Sequence, residues 1–156
     1  MKSSLIDLNN ISFSYKNNHI LKNINLRIFR GDKIALLGKS GAGKSTLISI
    51  LNGSLKYSSG NYKIFENNIG KLTIKEKQMI GTIWQDLRLI EELTGEQNVN
   101  CGLLGRKNLI FALKNLLNLC SFREAHKCMR ICHLEESTFT KNINKLSGGQ
   151  RQRIAI

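Results

Sequence analysis

One glycine-rich segment dominates the sequence, Gly38-Lys39-Ser40-Gly41-Ala42-Gly43-Lys44-Ser45-Thr46. The apolar run at residues 33–37 that precedes it predicts a short buried strand. Residues 46–51 predict a helix that stops at Asn52-Gly53. A strand, a glycine-rich loop and a helix, with four residues between Gly38 and Gly43-Lys44-Ser45, form the pattern of a phosphate-binding loop.

The residue types in this loop suit a phosphate chain and its metal ion. Glycines allow positive φ, so successive N–H groups can point into one concavity, and the helix N-terminus adds its positive dipole end. We expect Lys44 to reach the β- and γ-phosphates, Ser45 to hold Mg²⁺ and Thr46 to lie near the α-phosphate. The predicted phosphate-binding residues are Gly38, Lys39, Ser40, Gly41, Ala42, Gly43, Lys44, Ser45 and Thr46.

Length and hydropathy are those expected of a soluble globular protein. It has 156 residues, of which 41% are hydrophobic, enough for one domain with a core. No apolar run approaches the roughly 18–20 residues of a membrane-spanning helix. Residues 1–7 have neither the apolar centre nor the cleavage site of a signal peptide. We therefore expect a cytoplasmic chain whose membrane role comes through partners.

The chain is strongly basic, with 24 Lys and Arg against 11 Asp and Glu and a net charge of +13. Such a charge attracts nucleic acid or anionic lipid. The lysines, however, are spread along the chain without a dominant stripe, and proline is absent. No nucleic-acid partner is expected.

The four cysteines are expected to be reduced and buried, as is usual in a cytosolic chain. Cys128 and Cys132 are one helical turn apart and flanked by His126 and His133, so a metal site must be considered. Their spacing matches no standard zinc pattern, and packing within a helix is the simpler interpretation. The four cysteines are Cys101, Cys120, Cys128 and Cys132.

Alternation of apolar and polar residues predicts two strands, at 5–15 and 20–29, which we expect to pair antiparallel ahead of the loop. A third strand is predicted at 61–65 and a short helix at 73–79. Residues 80–85 predict a further strand, which ends on Gln85.

The second half of the chain has a helical pattern. Leucines and other apolar residues recur at helical spacing over 93–134, and residues 137–145 form a polar connection. Ser147 then follows Leu146 as the predicted N-cap of a helix.

Together these motifs resemble the ATP-binding subunit of ABC transporters. Leu146-Ser147-Gly148-Gly149-Gln150 matches the signature motif of that family. The resemblance implies an α/β fold: a P-loop NTPase (ABC-type) core with an antiparallel β subdomain and an inserted helical subdomain, truncated before the Walker B strand. The corresponding division is 1–90 for the core and β subdomain, 91–147 for the helical subdomain and 148–156 for the return to the core.

The resemblance also implies roles for individual residues. Tyr15 corresponds to the aromatic residue that stacks on adenine, although a tyrosine is also ordinary in a strand. Gln85 corresponds to the glutamine that contacts Mg²⁺ or the attacking water, although it could be a solvated amide. Lys44 and Gln85 are thus the predicted catalytic residues, and Ser45 and Gln85 the predicted Mg²⁺ ligands.

The signature motif implies partners. In the family it covers the γ-phosphate held by the loop of a second ATP-binding subunit, which implies a head-to-tail dimer with two composite sites. Transmembrane permease subunits and, indirectly, a substrate-binding protein complete such an importer, so the chain is expected to lie at the inner face of the cell membrane. The expected nucleotide-binding residues of the motif are Ser147, Gly148, Gly149 and Gln150.

Two points limit the resemblance. In the family, an aspartate that binds Mg²⁺, a catalytic glutamate and a switch histidine follow the signature motif, and none can be placed here, so the sequence resembles an N-terminal part. The segments at 87–94 and 102–106 resemble ATP subunits of phosphonate importers. Two alternatives stay open: a soluble ABC ATPase that acts on nucleic acid or ribosomes, and a truncated nucleotide-binding chain without turnover.

Overall fold

The computed structural model describes residues 4–156. The expectation that residues 1–7 are not a signal peptide therefore falls partly outside the described residues. The chain divides into two compact units, Met1–Gly81 and Thr82–Ile156. The first contains β1 (Ser4–Tyr15), β2 (Asn18–Phe29), α1 (Lys44–Leu51), β3 (Ser59–Ile64), β4 (Asn67–Asn68) and α2 (Ile74–Lys77). The second contains α3 (Gly95–Cys101), α4 (Leu109–Leu116), α5 (Arg123–Ile131) and α6 (Gly148–Ile154).

The first unit is built on an antiparallel sheet with the strand order β2-β1-β3-β4. The predicted pair is confirmed, since β1 and β2 run antiparallel with Leu8 opposite Leu26 and Ile11 opposite Ile24. Apolar side chains of the sheet pack with the buried face of α1. The buried members of this core are Leu8, Ile11, Leu21, Leu47, Ile50, Tyr62, Ile64 and Leu72.

Tyr62 ties this sheet to α1. Its side chain is fully buried, and its hydroxyl donates a 2.6 Å hydrogen bond to the Leu51 carbonyl oxygen at the end of the helix. Loss of solvation on burial raises the pKa of Tyr62 to about 12.

We expect one of the three tyrosines to ionise late in an alkaline titration. Because the pKa of Tyr62 is raised from 10.0 to about 12, the stability that its neutral phenol contributes is full below pH 10.0 and is lost as the pH rises towards 12. Tyrosinate absorbance measures the ionisation directly. Tyr62→Phe should remove the late step, whereas Tyr15→Phe should not, since Tyr15 is 64% exposed. A late step that persists in Tyr62→Phe would contradict this assignment.

The buried strand predicted at 33–37 and the further strand predicted at 80–85 are wrong. Neither segment pairs with a strand among residues 4–156. Ile34, Leu36 and Leu37 are 53%, 41% and 88% exposed, and Ile83 is 58% exposed. A strand requires a hydrogen-bonded neighbour, and an apolar run does not reveal whether one is present.

The helical unit has its own core, made by α3, α5, α6 and the segment before α6. Residues 137–145, predicted as a polar connection, are packed, because Thr138, Phe139 and Ile143 are buried. Backbone N–H groups of Gly95 and Glu96 donate to carbonyl oxygens of this segment at 3.0 and 2.9 Å. The buried apolar core is Met129, Leu134, Phe139, Ile143, Leu146 and Ile154.

The predicted burial of the cysteines is wrong. All four are free; Cys128 is exposed and the other three are half-buried. The reason is the orientation of α5, which directs Ala125 and Met129 into the core and leaves Cys128 outside. No group of three or more His, Cys, Asp or Glu in the described part of the chain could hold a metal.

Candidate phosphate-binding site

The glycine-rich loop leads directly into α1 through Gly43, which has φ 85° and ψ 8°. A Cβ at this position would lie 2.8 Å from Leu21 Cδ2 and 3.2 Å from Ile20 Cγ2. Glycine is therefore required at residue 43 for two reasons: the backbone is left-handed there, and the start of the helix packs closely on β2. Residues 44–51 form the predicted helix.

Lys44 holds the loop together. Its ammonium group donates hydrogen bonds to the carbonyl oxygens of Gly38 at 2.7 Å and Lys39 at 2.8 Å. Because an ammonium has three donors, a third N–H remains for a ligand oxygen. These two hydrogen bonds thus fix the positive charge of Lys44 at the loop.

A cavity of about 480 Å³ lies at the loop. α1 contributes its N-terminus, where backbone N–H groups have no acceptor within the helix and the dipole is positive. None of the residues that line the cavity is acidic. They are His19, Ile20, Ser40, Gly41, Ala42, Gly43, Lys44, Ser45 and Thr46. Such a lining favours a polyanion.

A larger cavity of about 590 Å³ lies elsewhere in the same unit. Ile50, Asn52 and Gly53 line it, so α1 presents its C-terminal end there. The negative end of the helix dipole disfavours anions. The smaller cavity is therefore the candidate site.

Of two residues near the β1–β2 turn, His19 lines this cavity and Tyr15 does not. His19 lines it, and its Nδ1 lies 2.8 Å from the Ser14 hydroxyl. Tyr15, at the end of β1, is 64% exposed and lies outside the set of lining residues. The sequence alone gives His19 no functional role. Its place in the cavity follows from the packing of Leu21 on Gly43, which no local pattern indicates.

Gln85 lies in a turn of the second unit and not at a strand end. The Leu87 N–H donates to the Trp84 carbonyl oxygen at 3.0 Å, and Leu87 and Arg88 both have positive φ. The Arg88 guanidinium stacks 3.7 Å from the centroid of the Trp84 ring. In this turn the Gln85 side chain is exposed to solvent. A role of Gln85 as a metal ligand is a proposal.

The signature motif lies at the start of α6. Ser147 caps the helix as predicted: its hydroxyl accepts a 3.3 Å hydrogen bond from the Gln150 N–H, while Gln150 Oε1 accepts a 2.9 Å bond from the Ser147 N–H. Leu146, only 5% exposed, anchors the motif in the core. Gly148 and Gly149 are exposed, and a Cβ on either would meet no atom within 4 Å. The structure thus presents the motif on an open surface of its unit.

Comparison with known sequences decides the family, because residues 21–156 match the sequence profile of the ABC transporter family. The chain belongs to the ABC transporter family. The glycine-rich loop and the Ser147 cap both lie within the matched residues.

Curated relatives of this ABC chain include import and transport ATPases. The phosphonates import ATP-binding protein PhnC of Fusobacterium nucleatum is 37% identical over 98% of this chain and 63% of its own length. The ergothioneine transport ATP-binding protein EgtV of Helicobacter pylori is 36% identical over 97% of this chain and 67% of its own length. The chain thus spans roughly two thirds of each relative, and their names disagree on the substrate.

A solved structure supports the fold. The ATP-binding cassette MJ0796, dimeric and bound to ADP and Pi in a post-hydrolysis state, superposes with a TM-score of 0.76 at 29% identity. The match covers 96% of this chain and 66% of that chain. The predicted ABC-type P-loop fold is confirmed. Within residues 4–156, no helix is both long enough and apolar enough to span a membrane.

Proposed function

We propose that this chain binds MgATP at the glycine-rich loop. The observation that carries the proposal is the Lys44 ammonium, fixed by the Gly38 and Lys39 carbonyl oxygens over a cavity without acidic residues. In this assignment Lys44 neutralises the β- and γ-phosphates, and the Thr46 hydroxyl lies near the α-phosphate. Tyr15, exposed at the end of β1, stacks on the adenine.

Ser45 is the proposed first ligand of Mg²⁺. Its exposed hydroxyl lines the cavity beside Lys44, and a neutral oxygen donor suits this hard cation when phosphate oxygens complete its shell. Gln85 is the proposed second ligand, through its amide oxygen. A bound Mg²⁺ would neutralise charge that develops on the γ-phosphate.

We propose further that the signature motif serves the ATP of a second subunit. The dimeric state of the MJ0796 cassette supports this arrangement. Gly148 and Gly149 are open, so a facing phosphate could approach their N–H groups. Ser147, Gly148, Gly149 and Gln150 would then complete the partner's site, and ATP would hold the pair together.

The proposed biological role is import across the cell membrane, with the chain peripheral on its inner face. The import names of the relatives support permease partners, and a substrate-binding protein would act on the outer side. Phosphonate is the proposed substrate class, because PhnC is a close relative and covers 98% of this chain. In the same assignment residues 1–90 form the core and β subdomain, 91–147 the helical subdomain and 148–156 the return to the core.

Ser147→Arg tests the dimer. The larger side chain would occupy the place of the facing phosphate, so ATP-dependent dimerisation should be lost while ATP binding by the monomer is nearly unchanged. Light scattering with a non-hydrolysable ATP analogue reports the dimer, and titration with labelled ATP reports binding.

Two control variants separate this effect from loss of the helix cap. Ser147→Asn keeps a good N-cap with a small side chain, whereas removing a cap costs about 1 kcal/mol. Ser121→Arg places the same cation on an exposed residue of the same unit. Both should dimerise. Normal dimerisation of Ser147→Arg, or its loss of monomer ATP binding, would contradict the composite site.

A further inference from the structure

The outer face of α4 is apolar. Five side chains are exposed there: Leu109 (75%), Ile110 (61%), Leu113 (54%), Leu116 (63%) and Leu117 (67%). Their spacing places them along one side of a helix. We call these five residues the α4 stripe. A contiguous exposed apolar face of this kind marks an interaction surface.

The inner face of α4 is held by polar contacts, which fix the direction of the stripe. Asn115 is 2% exposed, and its amide donates to the Gln97 carbonyl oxygen at 3.0 Å and accepts from the Asn100 amide at 3.2 Å. The Gln97 side chain in turn donates to the Asn115 carbonyl oxygen at 2.7 Å. Turning the leucines inward would break this buried network, and unmade buried hydrogen bonds are costly.

The leucines that follow α4 and α5 also differ in exposure. Both helices end with a left-handed residue, Asn118 or His133, followed by a leucine whose N–H bonds back to the last turn. After α5 that leucine, Leu134, is 5% exposed and packs into the core. After α4 it is Leu119, which is 68% exposed and extends the α4 stripe.

The charged residues in the chain segment that contains the stripe are all of one sign. No Asp or Glu occurs from residue 97 to residue 123. Lys114 adjoins the stripe within α4, and Arg106 and Lys107 lie just before the helix. An apolar helix face flanked by basic residues suits a surface that offers both anionic groups and hydrocarbon.

We propose that α4 docks on an anionic phospholipid surface, with the α4 stripe in the acyl boundary and the basic residues at the headgroups. Lipid meets both demands at once, because the headgroups supply the negative charge that the acid-free segment attracts and the acyl chains cover the leucines. The contact goes beyond ATP binding and permease docking and does not rest on either.

Vesicle co-sedimentation of the 156-residue chain tests the proposal, with phosphatidylcholine vesicles compared to phosphatidylcholine–phosphatidylglycerol vesicles. Binding should require the anionic lipid. The double variant Leu113→Ser/Leu116→Ser should reduce it strongly, at least about tenfold, since buried apolar area drives insertion. The matched control is Ile74→Ser/Ile131→Ser, which removes two apolar side chains outside the stripe that are at least as exposed, at 74% and 67%. It should bind like the wild type.

A charge pair completes the test. Lys114→Glu should weaken binding by about fivefold or more, while Lys127→Glu, the same change on exposed α5, should have a smaller effect. Circular dichroism should show all variants folded, because every replaced side chain points to solvent. Absence of binding to anionic vesicles would overturn the proposal and assign the stripe to a protein partner. Equal losses from Lys114→Glu and Lys127→Glu would also overturn it, since binding would then follow net charge alone. Equal losses from the leucine and isoleucine double variants would overturn it as well, since the α4 stripe would then have no special part in binding.

Discussion

Lys44→Ala is expected to weaken ATP binding by about 100-fold or more, because each hydrogen bond from its charged ammonium to a phosphate oxygen is worth roughly 1.5–3 kcal/mol. The variant removes the cation at the cavity together with the hydrogen bonds that hold the Gly38 and Lys39 carbonyl oxygens at 2.7 and 2.8 Å. Titration with labelled ATP in the presence of Mg²⁺ measures the effect.

The control for Lys44 is Lys63→Ala, which makes the same change in net charge on an exposed position of β3. It should bind ATP like the wild type. Thermal denaturation of both variants separates a loss of the site from a loss of the fold. Equal affinity of Lys44→Ala and the wild type would refute the assignment of this loop as the nucleotide site.

Gly43→Ala is expected to destabilise the first unit by roughly 2–5 kcal/mol. About 1–2 kcal/mol comes from a side chain at positive φ, and about 1–3 kcal/mol from overpacking against Leu21, which the new Cβ would approach to 2.8 Å. Gly41→Ala isolates the first contribution, because Gly41 also has positive φ, 81°, but nothing within 4 Å of its Cβ. Urea denaturation measures both.

A double-mutant cycle separates the packing contribution. In a Leu21→Ala background the methyl group at residue 43 no longer meets Leu21 Cδ2, so Gly43→Ala should cost less there than in the wild type. If Gly43→Ala and Gly41→Ala prove equally destabilising, the close contact with β2 makes no contribution.

Several features could be predicted because they depend on residues close together in the chain. The glycine-rich loop and its helix follow from a nine-residue pattern. The Ser147 cap needs only Gln150, three residues on. The antiparallel pair of β1 and β2 follows from alternation on both sides of a short turn. Hydrogen bonds and sterics within a few residues decide each of these.

Other features depend on contacts between residues far apart in sequence, and only the folded chain shows them. Residues 33–37 have the composition of a buried strand, but they are exposed because no described strand lies beside them. His19 lines the cavity at the glycine-rich loop because Leu21 packs on Gly43. The leucines of α4 recur at helical spacing, but only the structure shows that hydrogen bonds between Asn115 and Gln97 direct them outward. Burial depends on contacts with residues that are distant in the sequence, and a local sequence pattern does not identify those residues.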